Sequence, residues 1–317
     1  MILDLPAGSE VIVPSYGFVS LANAVAMFGH TCVFVDCELD TLNISADALE
    51  AAITTKTKAV ITINYGGIPC DYDRITAICR TNKIWLIEDN AHGLLANFNG
   101  IPLGSFGDIS TFSFDSMKMV TSYEGGALVI NNKSLAHVVP SYVDMGTNRA
   151  DFRNGNVPFY EWTSLGTNSA LAAPLFGILK QQLEESPKIL DSFVKSWKNY
   201  QKELEPLFSK YGIRGPRVDS GVNINGYIFW MMTRSADERT GLINRLRSKG
   251  ITLSPHYSAL HVSQFGKTKH LFSGSMTNTE TVVTRMVRLP LFYGITHEEQ
   301  KRVVFEIEQY YAELDSE

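Results

Sequence analysis

Lys118 stands at the end of a strand-like run, just before a polar turn and the pair Gly125-Gly126, which opens another apolar run. An amine placed at the end of a strand can reach into a cleft and capture a carbonyl group as a Schiff base. Taken alone, such a lysine is more often a solvated loop residue. The residues upstream of Lys118 therefore decide between a chemical and a purely surface role.

Asp89 follows the apolar residues 84–87, upstream of that lysine. Ligands of open α/β sheets sit outside the carboxyl ends of the strands, and Asp89 lies there if residues 84–87 form a buried parallel strand. A carboxylate in that position can keep a ring nitrogen protonated, which the electron sink pyridoxal phosphate requires. Asp89 could instead cap a helix or close a turn. Together, Lys118 and Asp89 predict pyridoxal phosphate chemistry.

Further motifs, in the same order along the chain, resemble one enzyme family, the DegT-like nucleotide-sugar aminotransferases. The likeness is greatest to the dTDP-4-oxo-6-deoxy-D-glucose transaminases, and it rests on residues 8–20, 40–44, 104–109, 145–149 and 288–293. The resemblance implies fold type I of the pyridoxal phosphate enzymes. This α/β fold has a mainly parallel, doubly wound sheet, followed by a smaller C-terminal α+β domain.

Cofactor contacts follow from the resemblance, position by position. It implies that Lys118 is the catalytic lysine and that Asp89 pairs with the ring nitrogen. It further implies that His92 contacts the ring hydroxyl, that Phe18 stacks on the cofactor and that Ser113 meets its phosphate. Phe18 could also be an ordinary core residue, and Ser113 could point into solvent.

Substrate contacts are predicted in two places. The resemblance places His256 and Tyr257 in the smaller domain, facing the cleft, together with His261. Arg149 could bind a sugar-nucleotide pyrophosphate through bidentate hydrogen bonds, or could be a surface residue. The histidines at 256, 261 and 270 lack the spacing of a helical metal-ligand pair, so we predict no metal site.

The chain also departs from the family pattern. Relatives begin several tens of residues earlier, with a turn whose amides hold the cofactor phosphate, so we expect an amino-terminally shortened enzyme with weak cofactor binding. Asp115 stands where relatives often have histidine, and residues 169–174 replace a polar segment that contains an acid.

Two hypotheses follow. The first is an enzyme that aminates a 4-oxo-6-deoxy sugar nucleotide, with an amino acid as donor, for cell-surface polysaccharide biosynthesis. The second is a catalytically impaired sugar-nucleotide binder or partner subunit. The apolar helix expected at residues 170–184 predicts a homodimer.

Composition and charge argue against several other classes of protein. The 317 residues include 28 basic and 33 acidic side chains, a net charge of −5, so no basic surface predicts a nucleic-acid partner. No apolar run is long enough to span a membrane, and the start lacks the features of a signal peptide, so we expect a cytoplasmic protein. The four cysteines are spaced as reduced, buried thiols rather than zinc ligands.

Alternating apolar runs and helical stretches define the expected organisation. We predict a large cofactor-binding domain over residues 1–185, and a connecting helix with a small C-terminal domain over residues 186–317. Capping boxes at residues 235–238 and 296–299 are expected to open two helices of the small domain. Strands of the large domain are predicted at residues 11–13, 33–35, 59–63, 85–87, 109–114 and 127–130.

Overall fold

A computed structural model describes residues 1–269 and 271–316 of the chain. Its strands are β1 (Glu10–Pro14), β2 (Thr31–Val35), β3 (Thr57–Ile63), β4 (Trp85–Asp89), β5 (Asn97–Phe98), β6 (Ile101–Pro102), β7 (Ile109–Ser113), β8 (Gly126–Ile130), β9 (Val222–Asn223), β10 (Trp230–Met232), β11 (Leu271–Phe272) and β12 (Met286–Arg288). Its helices are α1 (Val19–Ala26), α2 (Ala46–Ala51), α3 (Tyr72–Asn82), α4 (Val139–Val143), α5 (Arg149–Arg153), α6 (Ala173–Glu184), α7 (Ser186–Tyr211), α8 (Ala236–Ser248), α9 (Gly266–Lys269), α10 (Thr277–Arg285) and α11 (His297–Leu314).

Among the described residues, seven strands form the central sheet, in the order β11-β2-β1-β3-β4-β7-β8, and only β7 and β8 pair antiparallel. Successive residues of β1 face opposite cores: Ile12 packs with residues of α2 and α3, whereas Val11 and Val13 pack with residues of α1. Burial on both faces explains why these strands read as continuous apolar runs. The six predicted strands and the mainly parallel, doubly wound sheet are therefore confirmed.

The connecting helix α7 spans 26 residues. Its buried residues Ile189, Phe193, Trp197, Tyr200 and Leu204 recur every three or four positions, so they form one apolar stripe. The helix ends at Gly212, whose φ of 65° lies in the left-handed region that favours glycine. The later part of this stripe, from Trp197 onward, packs in one core with α8, α11 and the antiparallel pair β10–β12, whereas Ile189 and Phe193 pack in a second core with Phe114 and Leu179.

The two predicted capping boxes differ. At Thr296 the hydroxyl accepts from the backbone N–H of Glu299, and the Glu299 carboxylate accepts from the backbone N–H of Thr296, as predicted. At Ser235 only the first half forms. The Glu238 carboxylate instead binds the backbone N–H and the Nε of Arg234, at 3.0 and 2.7 Å. The prediction of a second full box was wrong because an arginine adjoins the cap and competes for the carboxylate.

Residues beyond 185 also contribute to the amino-terminal part of the fold. Strand β11 extends the central sheet beside β2, and β9 pairs with β5. The boundary at residue 185 stays a prediction. The four cysteines are free and buried, as expected, and no helix of the described residues has the length and apolarity needed to cross a membrane.

Candidate active site

A cleft of about 810 Å³ lies between the carboxyl ends of β4 and β7 and the C-terminal part of the chain. One side, here called the strand wall, consists of Asp89, His92, Ser113 and Lys118. The opposite side, here called the C-terminal wall, consists of Tyr227, His256, Tyr257 and Arg288. Phe18 also lines the cleft, so seven of the nine predicted site residues border this one space.

Asp89 is the last residue of β4, where the parallel sheet presents its carboxyl edge. Its Oδ1 accepts a hydrogen bond of 2.8 Å from the backbone N–H of Ala91. Within the described residues no donor reaches Oδ2. Burial raises the pKa of the Asp89 carboxyl, while the Ala91 N–H and the Lys118 charge act in the opposite direction. The site thus holds a buried carboxylate with one oxygen left for a cationic or N–H partner.

The preceding residue, Glu88, is fully buried and has its acceptors occupied by the protein. It accepts hydrogen bonds of 2.9, 2.6 and 2.6 Å from the backbone N–H groups of Gly104, Phe106 and Gly107. A carboxylate that receives several N–H donors fixes the loop that supplies them. Glu88 therefore ties β4 to the loop before β7 and helps to set the geometry of the strand wall.

Lys118 ends a tight turn after β7. Its backbone N–H donates to the carbonyl of Asp115 at 2.9 Å, and the Asp115 carboxylate accepts from the backbone N–H of Met117 at 2.9 Å. Burial lowers the pKa of Lys118, Asp89 and Asp115 raise it, and Arg288 lowers it. A lysine with a depressed pKa is more often the neutral amine, the form that attacks carbonyl groups.

His92 is buried, and burial is the main cause of its lowered pKa, reinforced by Lys118, His256 and Arg288. The backbone N–H of Gly66 approaches Nδ1 at 3.4 Å, and because it can only donate, Nδ1 is the acceptor. The ring proton of the neutral imidazole then lies on Nε2, 3.3 Å from the Tyr257 hydroxyl. His92 is in this way a fixed, uncharged donor.

His256 and Tyr257 are held by a cluster of tyrosines. The Tyr65 hydroxyl is 2.7 Å from His256 Nδ1, and the Tyr16 hydroxyl donates to the His256 carbonyl at 2.8 Å. Burial, followed by the charges of Arg288 and Lys118, lowers the pKa of His256 to about 3. Tyr257 has a φ of 56°, unusual for a residue with a side chain, so this loop keeps its shape through surrounding contacts.

Ser113 and Phe18 lie at the margins of the strand wall. Ser113 ends β7, and its hydroxyl accepts from the backbone N–H of Asp115 at 3.4 Å. Phe18 precedes α1, and 52% of its surface is exposed, so it is not a core phenylalanine. Its ring centroid lies 6.0 Å from that of Tyr257.

Two predicted residues lie elsewhere. Arg149 begins α5 outside the lining of the cleft, where it pairs with Asp144 at 3.0 Å and contacts Tyr160. Its proposed pyrophosphate contact stays a prediction. His261 lies 2.6 Å from the Ser15 hydroxyl through Nδ1 and is not part of the cleft lining, and His270 falls outside the described residues.

Sequence reasoning missed Tyr227 and Arg288. The Tyr227 hydroxyl donates to the carbonyl of Met117 at 2.8 Å, and the Lys118 Nζ lies 5.8 Å from the centre of the Tyr227 ring. Tyr227 lies three residues before β10, which begins at Trp230, and so belongs to no regular element. Arg288 was noted only within the matched stretch 288–293. No local signal showed that either side chain faces the cleft.

The family model that describes the DegT/DnrJ/EryC1/StrS aminotransferases matches residues 1–308. The chain belongs to this aminotransferase family. Enzymes of the family depend on pyridoxal phosphate, and the structural neighbours share fold type I, so the predicted family, fold and cofactor are confirmed.

Individual relatives resemble almost the whole chain. An uncharacterized protein of Methanocaldococcus jannaschii is 29% identical over 318 residues, which cover 98% of this chain and 82% of the relative. The aminotransferase TlmJ from Streptoalloteichus hindustanus is 28% identical, with a TM-score of 0.88, covering 99% of this chain and 82% of TlmJ. The aminotransferase from Psychrobacter cryohalolentis has a TM-score of 0.90 at 24% identity, covering 98% and 83% of the two chains, a likeness of fold.

The strand wall of this family member fits pyridoxal phosphate chemically. Asp89 has an unoccupied carboxylate oxygen for a protonated ring nitrogen, and Lys118 supplies a partly buried amine. His92 supplies an uncharged donor, and Phe18 a flat apolar face at the edge of the cleft. These are the partners that an aromatic, acidic, carbonyl-bearing cofactor needs.

Proposed function

We propose that the chain transfers an amino group from an amino acid to the 4-oxo carbon of a 4-oxo-6-deoxy sugar nucleotide, in the cytoplasm, for cell-surface polysaccharide biosynthesis. The observation that carries the proposal is the single cleft that joins Asp89 and Lys118 on one wall to neutral His256 and Tyr257 on the other. Its volume of about 810 Å³ is in the range of small-molecule sites.

Each residue of the strand wall has a proposed task. Pyridoxal phosphate, when bound, supplies the carbonyl group and the electron sink. Lys118 would hold the cofactor through its Nζ, and its free amine would take a proton from Cα of the amino donor in one half-reaction and deliver a proton to C4 of the sugar in the other. Asp89 keeps the ring nitrogen protonated through Oδ2. His92 donates from Nε2 to the ring hydroxyl, and Ser113 donates to the phosphate.

The C-terminal wall is proposed to orient the sugar. His256 engages Tyr65 through Nδ1, which leaves Nε2 for a sugar hydroxyl, and the Tyr257 hydroxyl is a second contact. Because the pKa of His256 is about 3, this ring stays neutral and can hydrogen-bond a sugar without attracting the phosphates. The free nitrogen of a neutral imidazole can donate to or accept from a sugar hydroxyl, depending on its tautomer.

The direct test is incubation of the purified protein with pyridoxal phosphate, L-glutamate and dTDP-4-oxo-6-deoxy-D-glucose. We expect mass spectrometry to find the amino sugar nucleotide with wild type and none with Lys118→Ala. Borohydride reduction and peptide mapping should find the cofactor fixed to Lys118. A modified lysine elsewhere, with Lys118 untouched, would contradict the assignment, and turnover by Lys118→Ala would contradict the mechanism.

The alternative is a catalytically impaired binder or partner subunit. It is favoured by Asp115, which begins the turn of Lys118 and stands where relatives often have histidine, and by exposed apolar side chains that could meet another polypeptide. Binding of the sugar nucleotide and of pyridoxal phosphate, without any amino sugar formed from a series of amino donors, would support this alternative over the enzyme.

We also propose that the chain is a homodimer. Large apolar side chains are exposed on α6 and in the segment before it: Phe159 (73%), Trp162 (77%), Leu165 (65%) and Phe176 (61%). Several large apolar side chains exposed within one stretch of the chain support an interaction site there. Light scattering is expected to give twice the mass of the 35.2 kDa chain. A monomer over a wide concentration range would contradict the proposal.

A further inference from the structure

The short turn that follows β3, Tyr65–Gly67, lies beside both histidines of the cleft. The backbone N–H of Gly66 lies 3.4 Å from Nδ1 of His92, and the hydroxyl of Tyr65 lies 2.7 Å from Nδ1 of His256. The centres of the two imidazole rings are 5.9 Å apart. Two adjacent residues therefore occupy the same ring nitrogen in two histidines, one on each wall.

This turn is fixed by its own contacts. Tyr65 is fully buried, its backbone N–H donates to Oδ1 of Asn43 at 2.8 Å, and its carbonyl accepts from the N–H of Ile68 at 3.1 Å. Gly66 has a φ of 62°, in the left-handed region that favours glycine. A hydroxyl on such a turn is pre-organised, so it holds its partner at a small entropic cost.

The proton between Tyr65 and His256 lies on the tyrosine oxygen. Burial raises the pKa of Tyr65 and lowers that of His256 to about 3, so both groups are neutral at physiological pH. A phenol is a better donor than a neutral imidazole, and an imidazole nitrogen is a better acceptor than a phenol oxygen. The Tyr65 hydroxyl is therefore the donor, and Nδ1 of His256 is the acceptor.

Tyr16 is the other acceptor beside the Tyr65 hydroxyl, since the two phenol groups also contact each other. Tyr16 donates its own proton to the backbone carbonyl of His256 at 2.8 Å. Its oxygen is phenolic, so it competes poorly with the imidazole nitrogen for the Tyr65 proton. Both tyrosines thus donate to His256, one to its backbone and one to its ring.

We propose that Tyr65 is a positioning residue that fixes the His256 proton on Nε2, so that this ring donates a hydrogen bond to an oxygen of the sugar. The inference rests on the proposed function and deepens it by giving the direction of one sugar contact. His256 lines the cleft, and within the described residues no protein group is hydrogen-bonded to its Nε2. A neutral imidazole that accepts at Nδ1 carries its proton on Nε2.

The direction of this hydrogen bond decides which groups the cleft accepts. A ring that donates at Nε2 attracts an oxygen lone pair and repels an ammonium group, whereas the opposite tautomer would do the reverse. His92 presents the same kind of donor from the other wall. The two histidines therefore favour an oxygen-rich ligand such as a sugar between them.

The first test is ¹⁵N NMR of the cofactor-free protein labelled at histidine. We expect Nδ1 of both His92 and His256 to resonate as unprotonated nitrogens, and both Nε2 atoms as protonated ones. In Tyr65→Phe the His256 signals should move toward the average of the two tautomers, while those of His92 stay unchanged because Gly66 is intact. His92→Gln and His256→Gln assign the signals.

Two results of this experiment would overturn the proposal. One is a protonated Nδ1 of His256 in wild type, and the other is a set of His256 signals that Tyr65→Phe leaves unchanged. The wild-type spectrum needs no variant, so the proposal stays open to refutation even if Tyr65→Phe does not fold.

The second test separates the two half-reactions by following the absorbance of the bound cofactor. Tyr65→Phe should slow the half-reaction with the sugar nucleotide about 3- to 10-fold, the value of one hydrogen bond, and leave that with L-glutamate unchanged. Tyr72→Phe is the matched control, since Tyr72 is similarly buried, donates to Asn64 at 2.9 Å and lies outside the cleft lining. Slowing of both half-reactions in Tyr65→Phe, or an equal effect in the two variants, would contradict the positioning role.

Failure of the proposed function would look different. If the His256 tautomer is fixed by Tyr65 but wild type aminates no sugar nucleotide, the sugar substrate is wrong and the role of Tyr65 at His256 stands. If wild type aminates the sugar nucleotide but Tyr65→Phe leaves that half-reaction unchanged, the function stands and the positioning role is wrong.

Discussion

The two walls of the cleft are built by different means. On the strand wall, Asp89 ends β4 and Ser113 ends β7, so neighbouring parallel strands bring the cofactor residues together. On the C-terminal wall, residues come from three separate segments and depend on long-range hydrogen bonds. The His256 ring, for example, is held by Tyr65, which lies 191 positions earlier.

This difference makes one wall depend on the other. Two hydrogen bonds join the C-terminal wall to the strand wall: the Tyr257 hydroxyl reaches His92, and the Tyr227 hydroxyl reaches the carbonyl of Met117, just before Lys118. The strand wall is supported from within, by the sheet and by Glu88. Changes to the strand wall should therefore affect chemistry, and changes to the C-terminal wall should affect the stability of the cleft and substrate choice.

The largest effect is expected from Asp89→Asn. A neutral amide cannot hold the cofactor nitrogen protonated, and removing one partner of a buried charge pair costs about 3 to 5 kcal/mol. Transamination should fall roughly 10²- to 10⁴-fold. Burial raises the pKa of Asp89 because it disfavours the charged form, and an amide oxygen can still accept from the Ala91 N–H, so this variant should keep its unfolding free energy without cofactor. Turnover and urea unfolding measure the two quantities.

Glu88→Gln is the matched control, one position earlier on the same strand. An amide offers one acceptor oxygen to the three N–H groups that Glu88 binds, and leaving a buried donor unsatisfied costs about 1 to 3 kcal/mol. We expect a loss of stability with cofactor chemistry retained in the folded protein. Unchanged turnover in Asp89→Asn would show that Asp89 only closes a turn, as the sequence alone also allowed.

The same contrast explains what the sequence could predict. Asp89 and Lys118 each follow an apolar run, so the place of each at a strand end could be read from local pattern. The exposure of Arg288 to the cleft depends on the pairing of β12 with Trp230 and Ser254, segments more than 30 positions apart from it, and no local pattern encodes that pairing. The guanidinium of Arg149 is chemically suited to bind a pyrophosphate. In the structure it forms an ion pair with Asp144, outside the lining of the cleft.

A second, smaller effect concerns acid stability. His256 has a folded pKa of about 3, far below its ordinary value, so the unfolded chain binds a proton at pH values where the folded chain does not. The unfolding free energy should therefore fall as the pH drops through the window from about 6.5 toward 3, by up to about 3 kcal/mol between pH 7 and pH 4. His92, whose pKa is also lowered, acts in the same direction.

His256→Gln should flatten this dependence, because the group that protonates on unfolding has been removed. Urea unfolding at several pH values measures the slope for wild type and variant. His137→Gln, at an exposed position, is the control and should follow wild type. An equally steep loss of stability in His256→Gln would show that other groups cause the acid sensitivity and that the tyrosine cluster does not keep His256 neutral.

The smallest effect, and the sharpest test of how the walls are joined, is expected from Tyr227→Phe. This change removes the hydrogen bond to the Met117 carbonyl but keeps the ring beside Lys118, so stability should fall by about 0.5 to 1.5 kcal/mol. Tyr310→Phe removes a comparable bond, from the Tyr310 hydroxyl to the Glu238 carbonyl at 3.1 Å, away from the cleft. Both variants should lose similar stability in urea unfolding.

Only Tyr227→Phe should also change the rate at which Lys118 captures pyridoxal phosphate, because only that bond restrains the turn that carries the lysine. Equal capture rates in the two variants would mean that the strand wall positions Lys118 without help from the C-terminal wall.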